Sequence, residues 1–192
     1  MARAPRVTLA PLTPEHLGDL ERLFGPRGAC AGCWCMYPRL RHAEFQRGKG
    51  AAHKPAFRRL VHGGTVPGLL AYVEGEPAGW CAIEPRAAYV RLATSRVLAP
   101  VDDAPVWSIV CFFVARAHRG RGLTRRLIEG AVGHARRAGA RLVEAYPIEP
   151  RAAVVLPVFA WTGLVSAFRK TRFTEVARRS PSRPIMRRRI RR

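Results

Sequence analysis

Acidic side chains are scarce in this chain: 13 Asp and Glu stand against 34 Lys and Arg, a formal net charge of +21. Such a balance repels cationic surfaces and attracts phosphate, whether in nucleic acid, anionic lipid or a polyanionic cofactor. Cysteine occurs five times. An odd number completes no disulfide framework, so a reducing cytoplasm is the expected compartment. Long apolar runs are missing too. The longest, around Val106 to Ala115, falls far short of the roughly 20 residues that span a bilayer. The opening MARAPRVTLAPL has no signal-peptide core, so no membrane partner is expected. The six histidines show no metal-ligand spacing. Neither an internal repeat nor a linker divides the chain, so residues 1–192 are expected to form a single domain, as a monomer or a homodimer.

What is present is enough for a sizeable core, with 48% hydrophobic and 24% charged residues. Part of the positive charge is concentrated at the end. Arg178, Arg179, Arg183, Arg187, Arg188, Arg189, Arg191 and Arg192 follow Ala177 with no acid among them. They read as a basic C-terminal strand and tail at about 178–192. Such a tail suits tRNA or another polyanion, and equally a plain solvated arginine surface.

Hydrophobic periodicity places the elements. Arg6 to Ala10 reads as a strand. Thr13 reads as an N-cap with Pro14 at the first helical position, for a helix to about Phe24. Two short basic helices are expected at Pro38 to Gln46 and Lys54 to His62. Strands Leu69 to Val73 and Ala78 to Ile83 flank a Glu74–Pro77 turn, and Ala87 to Thr94 reads as a short helix before a loop over Leu98 to Pro105. The central strand, Val106 to Val114, is followed by a long helix over Leu123 to Arg137 with Gly139 as its C-cap. Another strand covers Leu142 to Tyr146, a loop and helix occupy Val154 to Lys170, and Phe173 to Ala177 and Ile185 to Ile190 are terminal strands. The order is that of a mixed α/β domain.

Between the central strand and the long helix lies Arg119-Gly120-Arg121-Gly122. A strand feeding a glycine turn and then a helix N-terminus is a device for holding phosphate. The backbone N–H groups converge on the anion only if no side chain blocks its approach, and the helix adds its positive end.

FFVARAHRGRGLTRRLIEGAVGHARRAGARLVEAYP resembles motif A of the GNAT N-acyltransferase superfamily and the strand that follows it. The family pattern is Gln/Arg-x-x-Gly-x-Gly/Ala. Gly120 and Gly122 fill the glycine positions, and Ala117 stands where Gln or Arg is usual. The hairpin through Ala78-Gly79-Trp80 and the terminal GLVSAFRKTRFTEV also match the family, with Arg172 where Gly is usual. A bacterial subgroup carries a Cys-Trp-Cys-Met segment, here Cys33 to Met36. The resemblance covers roughly Val7 to Ile190. It implies a mixed, mostly antiparallel sheet of six to seven strands, flanked by helices, with a splayed central pair. It also implies that acetyl-CoA is the cosubstrate. Arg119, Gly120, Arg121, Gly122, Leu123 and Thr124 would hold its pyrophosphate, and the pantetheine arm would lie along Phe112, Phe113 and Val114.

The implied activity is transfer of acetyl to a primary amine of a small molecule or peptide by direct attack on the thioester. A general base must take the amine proton, and the leaving thiolate needs an acid. Glu144 is the expected base, on a strand beside the cleft where burial would raise its pKa; the competing reading makes it a partner for one of the many arginines. Glu84, Asp102 and Asp103 are further carboxylates to consider. The family's acid is a Tyr on the last helix, and Phe168 stands there, a cofactor contact that cannot donate a proton. Tyr146, Ser166 or water would replace it. Cys30, Cys33 and Cys35 suggest zinc, with Cys81, Cys111 or His42 as a fourth ligand. The reading preferred here is no metal, with the Cys segment forming the acceptor wall through Trp34 and Tyr37; a cysteine nucleophile is a remoter alternative. Two further functions compete: an acyltransferase of the same fold that uses or modifies aminoacyl-tRNA, and a non-catalytic nucleic-acid-binding module.

Overall fold

A computed structural model describes residues 4–50, 52–150 and 160–191. The strands are β1 (Val7–Pro11), β2 (Gly68–Val73), β3 (Glu76–Pro85), β4 (Trp107–Val114), β5 (Leu142–Ala145), β6 (Thr174–Arg178) and β7 (Pro184–Arg189). They form one sheet in the order β1-β2-β3-β4-β5-β7-β6. All neighbours are antiparallel except β4 and β5. The helices are α1 (Leu17–Phe24), α2 (His42–Gly48), α3 (His53–His62), α4 (Val90–Thr94), α5 (Leu123–Arg137) and α6 (Val165–Arg169). This is the mixed α/β architecture expected from the resemblance. Among the described residues, no helix is long and apolar enough to cross a membrane.

The sheet separates two apolar cores. On one face, Leu127, Ile128, Ala131 and Ala135 of α5 pack on Leu69, Ile83, Ile109 and Val143. On the other, Leu20 and Phe24 of α1 and Phe57 and Val61 of α3 pack on Leu70, Trp80 and Val110. Period-2 alternation along the strands sends successive side chains to opposite cores. The alternation breaks once in β4. Ala82 faces Cys111 and Ile83 faces Ile109, so Val110 is an extra residue, a bulge. Val110 and Cys111 therefore both turn to the α1 side.

α5 runs over the expected residues and ends in a Schellman motif. Gly139 N–H bonds Arg136 O at 3.0 Å and Ala140 N–H bonds Ala135 O at 2.9 Å. Other boundaries move. Thr13 does not cap a helix: its hydroxyl bonds Glu15 and His16, Pro14–His16 form a single tight turn, and α1 starts only at Leu17. The expected helix at Pro38 to Gln46 shifts to His42–Gly48, where Glu44 Oε2 accepts the Arg41 N–H at 3.0 Å. The β2–β3 turn needs only Glu74 and Gly75, because Val73 already pairs with Glu76. Most of the loop expected from Val154 onward lies outside the described residues.

The basic C-terminal stretch contains the terminal strand expected at Ile185 to Ile190, one residue earlier at each end. Residues 184–189 are a strand inside the sheet, and its neighbours engage the arginines. Arg178 pairs with Glu175 and Glu149, Arg179 donates to the carbonyls of Ala99 and Pro100, and Arg183 donates to Thr162. Arg187 pairs with Glu144 and Asp102, and Arg188 with Glu129.

Candidate active site

The phosphate cradle forms where β4 ends. Gly120 and Gly122 have φ of 73° and 78°, left-handed conformations that glycine adopts without penalty. Gly122 is the N-cap of α5. From Gly120 to Thr124 the backbone N–H groups have no partner among the described residues. Gly120, Gly122, Leu123 and Thr124 border a recess of about 210 Å³ together with Val114, His118 and Arg119. Free N–H donors at a helix N-terminus, with exposed Arg121 and Arg125 beside them, fit a pyrophosphate. Arg119 Nε folds back onto Val114 O at 3.0 Å, so its side chain braces the loop. Leu123 gives the cradle only its N–H; its side chain is buried under the sheet.

The central strands part as expected. β4 and β5 pair only from Trp107 to Ile109 against Val143 to Ala145. Beyond that point a cavity of about 750 Å³ opens, from Arg119 and Thr124 at one end to the Cys-rich segment at the other. Phe112, Phe113 and Val114 line it. Phe112 and Phe113 point to opposite cores, against Phe168 and Phe24 respectively, which leaves the strand edge toward the gap. One position on that edge is taken by the chain itself: Phe112 N–H donates to Trp161 O at 2.6 Å. Trp161 has no counterpart in the sequence reading. No periodicity marks a residue that enters the site through its backbone carbonyl.

Glu144 and Tyr146 are brought together, but not at the cavity. Glu144 is fully buried. Arg86 and the Tyr146 hydroxyl donate to Oε1 at 2.8 and 2.6 Å, and Arg187 Nε donates to Oε2 at 2.7 Å. Ser108 completes the network by bonding the Tyr146 hydroxyl at 2.9 Å. Burial, reinforced by Glu144, pushes the Tyr146 hydroxyl well up. Neither residue lines the cavity. The geometry is that of a carboxylate neutralised by two arginines, the competing reading of Glu144, and it fixes β5 to β7 and to the turn after β3.

The other candidate groups are equally occupied. Phe168 is fully buried against Phe112 and Phe173; α6 reaches the cavity through Ala167 instead, while Ser166 is exposed. Glu84 pairs with Arg39 and Asp102 with Arg187, and Asp103 lies on the surface. Among the described residues no carboxylate and no histidine lines the large cavity, and the charged lining residues are Lys49 and Arg119.

The far wall is the segment from Gly28 to Tyr37. Ala29, Ala31, Trp34 and Cys35 all have positive φ, 60°, 47°, 43° and 54°, each costing roughly 1–2 kcal/mol in a non-glycine residue. Packing holds the strain in place: His53 Nδ1 donates to Gly32 O at 2.9 Å, and its ring stacks on Phe45 at 4.5 Å. Cys30, Cys33, Cys35 and Cys111 open on the cavity from this side. Among the described residues no three His, Cys, Asp or Glu converge to hold a metal ion. The thiols differ. Burial pushes Cys33 up to about 12, and Cys111 is raised by its bond to Cys35 and by burial. Cys35 is lowered, by the neighbouring Cys111 thiol first, then by Trp80 Nε1, which donates to its sulfur at 3.1 Å, and by the charge of Arg39, against the opposing effect of burial.

None of the curated proteins matches the chain significantly. Solved structures do. A GNAT-family acetyltransferase from Listeria monocytogenes superposes with a TM-score of 0.57 at 12% identity, covering 96% of this chain and 95% of that one. One from Streptococcus pneumoniae gives 0.56 at 12% identity, with 96% and 99% covered. The PaiA N-acetyltransferase of Thermoplasma acidophilum, crystallised with coenzyme A, gives 0.53 at 12% identity, with 96% and 99% covered. At these identities the likeness is one of fold. The model of the Acetyltransferase (GNAT) family matches residues 33–155, which include the cradle, the splayed strands and half of the far wall. The chain belongs to the GNAT acetyltransferase family.

Proposed function

We propose that this chain moves an acetyl group from acetyl-CoA to the primary amine of a small molecule or peptide. The observation that carries the reading is the cradle: free N–H groups from Gly120 to Thr124 at the head of α5, opening into a cavity along the splayed edge of β4. The pyrophosphate would rest on those N–H groups. Phe112 and Val114 would flank the pantetheine arm, and the thioester would lie toward the Val110 bulge and the Cys-rich wall. A crystal structure of PaiA with coenzyme A on the same fold supports the choice of donor.

The lining also narrows the acceptor. Phe24, Tyr37, Phe45 and Trp161 make the wall apolar, and Lys49 is its charged group on the acceptor side. With no acid in the lining, a polycationic amine has nothing to pair with. An amine with an apolar body is favoured, and one bearing a carboxylate would meet Lys49. The polyanion alternative keeps the net charge of +21 as its motive and loses part of its support from the tail, because neighbouring groups engage Arg178, Arg179, Arg183, Arg187 and Arg188.

Titration calorimetry with acetyl-CoA tests the donor. Binding that is lost in Gly122→Val supports the reading. No heat and no thermal shift with acetyl-CoA would overturn it. A thiol-release screen over apolar amines, amino-carboxylates and polyamines then ranks acceptors, and a preference for polyamines would refute the acceptor class.

A further inference from the structure

Four of the five cysteines, Cys30, Cys33, Cys35 and Cys111, line one end of the cavity, and all five are free thiols. Among the described residues no three groups converge to hold a metal ion, so the cluster offers the chemistry of pairs. Two of the four are engaged by the fold. Cys35 is 5% exposed and accepts the Trp80 N–H, and the Cys111 thiol donates to Phe112 O at 3.8 Å. Cys30 is exposed and Cys33 half-buried, so small molecules in solution reach both.

Cys30 and Cys33 are also held side by side. Cys33 N–H donates to Cys30 O at 2.9 Å, and the two residues between them are left-handed, Ala31 at φ 47° and Gly32 at φ 73°. This is a two-residue turn of type I′, whose ends lie less than about 7 Å apart between Cα atoms. A disulfide usually spans about 4.4–6.8 Å between Cα atoms. The turn is fixed from outside. Gly32 N–H donates to Arg27 O at 2.7 Å, Gly32 O accepts the His53 Nδ1 bond, and a Cβ on Gly32 would meet Gly50 Cα at 2.7 Å. Ala31 holds its positive φ without being a glycine, strain of the kind found at functional positions. Burial first, and the neighbouring Cys35 second, push the Cys33 thiol up to about 12, so the exposed Cys30 is the thiol that reacts first.

We propose that Cys30 and Cys33 are a redox-active dithiol, which a small-molecule disulfide oxidises to a Cys30–Cys33 bridge in the acceptor wall. In the first step Cys30 Sγ, as thiolate, attacks the small disulfide. A sulfur–sulfur bond forms to one half of it, and the other half leaves as a thiolate that takes a proton from solvent. In the second step Cys33 Sγ gives its proton to solvent and attacks the Cys30 sulfur. The Cys30–Cys33 bond forms and the remaining half leaves as a thiolate that takes up a proton. Two protein thiols lose two electrons, and one small disulfide is reduced to two thiols. The turn already holds both residues, so the bridge needs no movement of the backbone. What changes is the lining, where two thiols give way to one bridge. The consequence for the amine rests on the acetyl-transfer reading above; the bridge itself does not.

The full chain incubated with oxidised glutathione, then alkylated and mapped by mass spectrometry, is the test. Trypsin cuts after Arg27 and Arg39 and releases Cys30, Cys33 and Cys35 in one peptide. The expected peptide has lost two hydrogen atoms and carries the alkyl group on Cys35 alone, and dithiothreitol restores three alkylation sites. Cys30→Ser and Cys33→Ser each abolish the bridge, while Cys111→Ala retains it. In the bridged chain the amine KM rises about threefold, close to the worth of one buried methylene, and acetyl-CoA affinity is unchanged. A peptide that keeps its hydrogens, a lasting mixed disulfide with glutathione, or a bond that maps to Cys35 or Cys111 overturns the proposal. A bridge that leaves the amine KM unchanged overturns its hold on the acceptor wall. Failure to bind acetyl-CoA overturns the donor reading alone, and the mapping still decides the bridge. Mapping on the unmodified chain decides it even if a serine variant is poorly folded.

Discussion

The two ends of the cavity are built on opposite principles. At the donor end the unusual backbone angles fall on Gly120 and Gly122, the cradle is exposed, and its polar groups are left free for a ligand. At the Cys-rich end positive φ extends beyond Gly28 and Gly32 to Ala29, Ala31, Trp34 and Cys35, and packing against Phe45, His53 and Trp80 keeps them there. A glycine-coded site carries little strain and depends little on its surroundings. A strained site borrows its shape from the rest of the fold, so packing changes should move the acceptor end and leave the donor end alone.

The largest expected effect comes from the network that supports both ends. Glu144→Ala leaves Arg86 without an acid and Arg187 with Asp102 as its one carboxylate, a loss of about 3 kcal/mol, and the melting temperature falls by on the order of 10 °C. Urea and thermal melts measure this. A variant that keeps its stability but loses turnover would restore Glu144 as the base. Next is Gly122→Val, which forces a β-branched side chain into a left-handed N-cap. Acetyl-CoA affinity drops by about 100-fold, or about 2.7 kcal/mol, with the fold retained. Gly28→Ala is the matching change at the far wall, since its Cβ would meet Trp34 Nε1 at 2.2 Å. Stability falls by about 1–3 kcal/mol and the amine KM rises, while acetyl-CoA affinity holds; an equal loss of donor affinity would break the contrast between the ends.

Smaller effects test the same logic outside the cavity. Arg172 has a φ of 64° at the position where the family usually has Gly. Arg172→Gly relieves about 1–2 kcal/mol of strain and returns part of it as unfolded-chain entropy, a net gain of about 0.5–1 kcal/mol visible in a melt. The smallest effect is at acid pH. Asp102 is held below its ordinary value of 3.8 by Arg187 first and the Ala104 N–H second, and Glu175 below 4.5 by Arg178. A depressed carboxyl stabilises the fold above its unfolded pKa, and the contribution disappears as pH falls through the lower folded pKa. Melts of Asp102→Asn should therefore show a shallower loss of stability below pH 3.8 than the parent chain.

The contrast between the ends also explains what the sequence shows. α5 is legible because apolar spacing, two glycines at its head and Gly139 at its foot all agree. The splay of β4 from β5 comes through family resemblance. Glu144 misleads because a lone acid in an apolar strand looks the same whether it awaits a substrate or two arginines; Arg86 and Arg187 are 58 and 43 residues away. What separates Cys35 from Cys30 and Cys33 stays hidden for a similar reason. Its donor Trp80 is 45 residues distant, and positive φ at Trp34 and Cys35 has no residue-type signal. The terminal arginines suggest a polyanion because no local pattern shows that β7 inserts between β5 and β6.

That insertion has a consequence for the order of folding. Arg187 closes on Glu144 across 43 residues and on Asp102 across 85. During synthesis β4, α5 and β5 emerge well before β7, and until then Glu144 has one arginine where the finished sheet supplies two. The splayed pair thus waits on β7, which follows β4, α5, β5 and β6 in chain order, and such non-local closure is slow compared with helix formation. The unpaired edge of β5 is the surface most in need of protection in the growing chain.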